Sequence, residues 1–162
     1  MIFTFGHYTV DIDVEKTREI YRTLPTTGQA CGCDGCENFE RAVDVLPAEV
    51  RSFFEALGVD LKRVTECYVN CQMADGTLFY GGFCHLCGSL VHGESAFVKD
   101  SPTSSYDDPD RAYHICKDFC VSFREECHLL EKAFEAPVLQ LDFEAMIPWV
   151  LDKENTYPKY NQ

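Results

Sequence analysis

Leu78-Phe79-Tyr80-Gly81-Gly82-Phe83-Cys84-His85-Leu86-Cys87-Gly88-Ser89-Leu90-Val91 decides the fold class of this 162-residue chain. Phe79 and Phe83 fall on one alternating face, and Leu78, Tyr80, Leu86 and Leu90 on the other, so the stretch reads as a strand covered on both sides and central in a sheet. Gly81-Gly82 marks a bulge or a close backbone approach within it. Just upstream, Ala74-Asp75-Gly76-Thr77 carries the Asp-Gly signal of a tight turn, which folds residues 65–73 back as a hairpin partner.

Toward the N-terminus the period changes to that of helices. Val10-Asp11-Ile12-Asp13 alternates as a short strand, and Asp13 can cap a helix over about residues 14–24, where Val14, Thr17, Tyr21 and Leu24 share a face until Pro25 ends it. Residues 26–30 read as a polar loop. A second helix begins near Asp34, which pairs with Glu37 as a capping box, and runs Cys36, Phe39, Val43 and Leu46 along one stripe. A third opens at Pro47, places Val50, Phe53, Phe54 and Leu57 on one face, and stops at Gly58.

Beyond the central strand, residues 100–111 read as an acidic loop. Asp107, Asp108 and Asp110 lack the spacing and the glycine of a calcium loop. Residues 113–123 read as a strand or a tight hairpin broken at Lys117-Asp118, and Leu139, Leu141, Phe143 and Ala145 as a half-buried strand with one wet face. Pro148 bars its continuation, Trp149 anchors the C-terminal segment, and residues 152–162 read as a frayed tail. Helices first and strands afterwards specify α+β: two or three helices packed on a mainly antiparallel sheet, as a single domain over residues 1–162.

With 27 acidic against 14 basic residues the net charge is −13, and no run of Lys or Arg offsets it, which argues against nucleic acid and membrane surfaces as partners. No apolar run approaches the roughly 20 residues of a membrane span. Met1 to His7 has neither a basic leader nor a long apolar core, so the chain reads as cytoplasmic, where its ten cysteines are thiols or metal ligands rather than disulfides.

Three of those thiols stand together in Cys31-Gly32-Cys33-Asp34-Gly35-Cys36. A loop running into a helix start allows them to converge on the positive end of the helix dipole, where a thiolate is favoured. Zinc is the cofactor such a set suits. A closed tetrahedral site needs a fourth donor, for which Cys84, Cys87 or a histidine are candidates. Cys84-His85-Leu86-Cys87-Gly88 has the form of a zinc knuckle, yet as part of a strand it sends Cys84 and Cys87 to opposite faces. Cys67 and Cys71 share a strand face about 13 Å apart and cannot chelate one ion together. Against the metal stand two alternatives. The thiols can be ordinary buried or surface groups, or Cys33-Asp34-Gly35-Cys36 can exchange disulfides, although no apolar strand precedes it as in a thioredoxin. His85, His92 and His114 read as structural residues.

The chain resembles a family of small uncharacterised bacterial proteins carrying a C-x-x-C-x-N-F motif. The likeness rests on Asp13-Val14-Glu15-Lys16-Thr17-Arg18, on Cys33, Cys36, Asn38 and Phe39, on Gly58-Val59-Asp60, on Tyr80-Gly81-Gly82 and on Pro148-Trp149. It implies a cytosolic α+β domain without an assigned activity, in which Cys33 and Cys36 belong to the pattern while Cys67, Cys71, Cys84, Cys87, Cys116, Cys120 and Cys127 do not. The leading expectation is a non-enzymatic binding or structural domain that meets a protein or small-molecule partner. A thiol oxidoreductase or a metal-dependent hydrolase is the competing class. Glu37, Asn38 and Phe39 then serve as a cap, a polar brace and a core plug.

Overall fold

The structure, a computed structural model, describes residues 1–160. It is α+β, with helices packed on a mainly antiparallel sheet. The chain enters as two short strands, β1 (Ile2–Phe5) and β2 (Tyr8–Ile12), and continues through α1 (Val14–Tyr21), α2 (Thr27–Cys31), α3 (Asp34–Ala42) and α4 (Ala48–Ala56). Asp13 caps α1 as expected, its carboxylate accepting from the Lys16 N–H at 3.0 Å. Strands follow: β3 (Glu66–Gln72), β4 (Leu78–His92), β5 (Phe97–Ser101), β6 (Ser104–Asp107), β7 (Tyr113–Cys116), β8 (Phe119–Arg124) and β9 (Val138–Ile147).

The sheet is organised by β4, whose 15 residues are long enough to take two partners end to end on one edge. β3 pairs with Leu78–Phe83 and β2 with Gly88–His92, while β9 pairs with residues 78–87 along the other edge and carries β8 and then β7 outward. Between β3 and β2 the backbone of β4 has, among the described residues, no strand beside it on that edge. Helix α1 fills that gap with hydroxyls one turn apart: Thr17 Oγ1 accepts from the Cys87 N–H at 3.1 Å, and Tyr21 Oη donates to the His85 carbonyl at 3.0 Å. An unpaired buried peptide group costs about 1–3 kcal/mol, so these two side chains are why a helix can stand at the edge of a central strand.

On the helix side of the sheet, Phe39 of α3, Phe143 of β9, Phe119 of β8 and Phe54 of α4 form a column with successive ring centroids 5.6 Å apart. Phe39 is the expected core plug, fully buried. Asn38, also fully buried, is the expected brace. Its amide donates to Tyr80 Oη and the Pro148 carbonyl and accepts from the Val150 N–H at 2.7 Å, clamping the segment after β9 onto α3.

Three expectations are corrected. The expected loop at residues 26–30 is mostly helix, the α2 of Thr27–Cys31: Thr26 and Gln29 form a reciprocal capping box, and Thr27 Oγ1 donates to the Lys62 carbonyl at 2.9 Å, so a five-residue helix is held from outside. The acidic stretch 100–111 contains β6 and part of the β5–β6 hairpin, followed by a single 3-10 turn at Pro109–Arg111 that Asp108 caps. The frayed tail is docked over residues 152–160, where Gln72 of β3 exchanges backbone hydrogen bonds with Pro158 and Tyr160 at 2.7 and 2.8 Å, and Trp149 packs on Tyr157. Residues 161 and 162 of that expected tail lie outside the described residues. Among the described residues no helix is long and apolar enough to cross a membrane.

Candidate metal centre

The three thiols meet because two helices turn a corner between them. Cys31 ends α2, Gly32 takes the left-handed conformation (φ 72°) that an L side chain resists, and Cys33 opens α3. The sulfurs of Cys31, Cys33 and Cys36 all lie within 4.8 Å of one another, close enough to hold one metal ion. Cys33, not Asp34, is the cap of α3: its sulfur accepts from the Cys36 N–H at 3.4 Å. The expected capping box is absent because the helix starts one residue earlier, which takes Asp34 and Glu37 out of the two capping positions; Asp34 pairs instead with Lys153 Nζ at 2.6 Å and Glu37 with Arg41 at 2.8 Å. A thiol in the capping position aims a backbone N–H at sulfur, which favours charge there.

Burial then separates the three. Cys31 is exposed, and its thiol is pulled below the usual range, first by the Cys33 backbone N–H and then by the neighbouring thiols. Desolvation pushes Cys33 up to about 11. Cys36 points inward, as expected, and is raised furthest, first because it shares a hydrogen bond with Cys67 of β3, whose sulfur lies 3.8 Å away, and next by burial. The C-terminal segment lies across this corner. A Cβ on Gly35 would come 2.5 Å from Tyr157 Oη and 3.1 Å from Val69 Cγ2, so only glycine lets the segment cross the helix start at this distance.

Cys84 and Cys87 are not among the gathered sulfurs. Both are buried in β4, Cys84 beside Tyr21, whose hydroxyl lowers a thiol that burial holds up at about 12, and Cys87 beside Thr17. The unbroken register of residues 78–87 with β9 keeps the two on opposite faces, so the zinc-knuckle reading gives way to the strand reading. Cys67, set aside in the sequence because of its distance from Cys71, is the cysteine that the sheet brings to the corner. A bulge between Val69 and Cys71 breaks the alternation: Cys67 is paired with Gly82 and faces the helices, while Cys71 is paired with Phe79 and turns away. No local sequence signal marks that bulge.

A second feature lies on the other face of the sheet. The registers align its side chains in rows: His114, Cys120, Glu144, Gly81 and Tyr68 in one, and Ser122, Asp142, Phe83 and Glu66 in the next. The expected wet face of β9 is therefore the floor of a cleft of about 760 Å³, walled by the β5–β6 hairpin and by His128 and Leu129. Arg124 sits 12% exposed between Phe97, 4.4 Å from the ring centroid, and Asp142, at 2.9 Å from Nε. Burial raises the Asp142 carboxyl against the pull of Arg124, and burial followed by the charge of Asp107 raises Glu144. Among the described residues Glu66, Asp107 and Glu144 have no ion-pair partner within 4.0 Å. The alternation of β9 was legible in the sequence. The hairpin that covers it was not.

Comparison with known protein families, with curated proteins and with solved structures returns no match to this chain.

Proposed function

We propose that the protein is a non-enzymatic binding domain braced by a zinc ion on the thiols of Cys31, Cys33 and Cys36. The observation that carries this reading is the mutual approach of three sulfurs at a helix corner, with a backbone N–H already aimed at one of them. Thiolate donors select zinc or copper(I) over the hard cations, and zinc needs no redox partner. The ion would tie α2 to α3 at the point where the C-terminal segment crosses. Elemental analysis of protein purified without added metal, with thiol titration before and after chelation, tests it. One zinc per chain, with at least three of the ten thiols reactive only after chelation, is expected. Metal-free protein that takes up no added zinc overturns the reading.

The partner belongs in the cleft. Unpaired carboxylates on its floor and hairpin, beside Tyr68, Phe83 and Phe97, suit a small organic cation with an apolar body. Calorimetric titration with phenethylamine should show binding that Glu144→Gln weakens, and no heat with either protein would remove the cleft from the proposal. A thiol-exchange reading is favoured by one observation, the exposed and lowered Cys31 thiol, and it makes Cys31 rather than Cys33 the attacking group. A disulfide among these cysteines that cycles with a mild reductant in zinc-free protein would support it.

A further inference from the structure

Three thiolates leave a tetrahedral ion with an open position, the arrangement of a catalytic zinc, whereas four close it. Which of these the protein builds depends on a donor from outside the helix corner. Three observations point to the same residue. Cys67 lies on β3, in a different part of the chain, and reaches the corner only because the sheet presents that strand's residues 67 and 69 to α3. It is 4% exposed, so its sulfur has the interior of the site and not solvent before it. And its sulfur stands 3.8 Å from that of Cys36. Zinc–sulfur bonds of about 2.3 Å require tetrahedral sulfurs about 3.8 Å apart, so this pair already has the length of one edge of the tetrahedron.

We infer that Cys67 is the fourth ligand, and that the site is a closed four-thiolate centre pinning the α2–α3 corner to the sheet. This rests on the metal reading given above and adds its coordination. Cys67 stands outside the group of sulfurs that lie within 4.8 Å of one another. The movement that closes the site falls to Cys31 and Cys33, both exposed, while Cys36 and Cys67 stay packed. Binding exchanges the Cys36–Cys67 hydrogen bond for two metal bonds and releases the protons of whichever thiols are not yet ionised. Other nearby cysteines do not compete. Cys71 faces the opposite side of β3, where its sulfur meets Met73 at 3.8 Å.

X-ray absorption on the zinc-loaded wild-type chain reads the coordination without a mutation. Four sulfurs at about 2.3 Å are expected. Three sulfurs with one lighter atom would overturn the assignment of Cys67 and leave the three-thiol metal site standing, whereas failure to bind zinc at all would remove both. The variants give a second measurement. Loss of a supporting group around a metal commonly costs 10–100-fold in affinity, so removing a direct ligand by Cys67→Ser should weaken zinc binding by roughly 100-fold or more. Cys71→Ser, three ladder positions away, should bind as wild type. Equal affinity for Cys67→Ser and wild type would overturn the assignment.

Discussion

The chain contains the same spacing twice, Cys33-x-x-Cys36 and Cys84-x-x-Cys87, and the two do opposite things. At the start of α3 the first cysteine caps the helix and the second lies one turn on, so both sulfurs face one point. Within β4 the same three-residue step crosses the pleat, so one sulfur goes to each side of the sheet. Spacing becomes a metal geometry only through the backbone that carries it. The flanks make the difference: Gly32 and a capping position around the first pair, apolar alternation around the second.

The largest expected effect breaks the first pair. Cys36→Ala should lose tight zinc binding, by roughly 100-fold or more, whereas Cys84→Ala should retain one zinc per chain by elemental analysis. If both lost the metal equally, the contrast between the pairs would fail. Next comes His85, inside the second pair. It is fully buried, and desolvation lowers it to about 4, so the folded chain resists a proton that the unfolded chain accepts near 6.5. Its neutral form supports the fold above pH 6.5, and that support is lost as pH falls toward 4, by roughly 3 kcal/mol at most. Urea titrations across this range should therefore show a steeper acid loss for wild type than for His85→Gln, and parallel curves would contradict it.

Asn38→Ala sharpens the picture of the helix corner. It strands the Pro148 carbonyl and the Val150 N–H, at a cost of about 2 kcal/mol, and should speed alkylation of Cys33 by loosening the segment that crosses α3. Unchanged stability and labelling would show that the clamp is not what holds that segment. The smallest effect is that of Gly32→Ala. Among the described residues no atom beyond the two chain neighbours lies within 4 Å of the added Cβ, so the cost is that of the left-handed backbone, about 1 kcal/mol, and a much larger loss of stability would mean that the corner depends on more than this conformation.

The fold was readable wherever the governing interactions are local. Asp13 before a 3.6-residue pattern, Asp75-Gly76 between alternating runs and Pro47 at a helix start each act within a few residues, and each element lies where its signal stands. The errors share a cause. The capping box of Thr26 and Gln29 was present in the sequence, but the helix it starts has only five residues and persists through contacts with Lys62 and Glu40. The C-terminal segment is polar enough to read as a tail, and it is fixed by Gln72, more than 80 residues away.

By itself, then, the amino-acid order determined an α+β chain in which three thiols gather at a helix start and a long apolar strand runs through the middle of the sheet. Capping, turn chemistry and periodicity act over one or two turns, and they suffice for that. Only the tertiary structure decided that Cys67 rather than Cys84 or Cys87 stands beside Cys36, that the C-terminal segment crosses the cysteine corner, and that the polar face of β9 floors a cleft. Those outcomes depend on strand register, on a bulge in β3 and on which segments cover which face, and such contacts join residues whose separation along the chain carries no pattern.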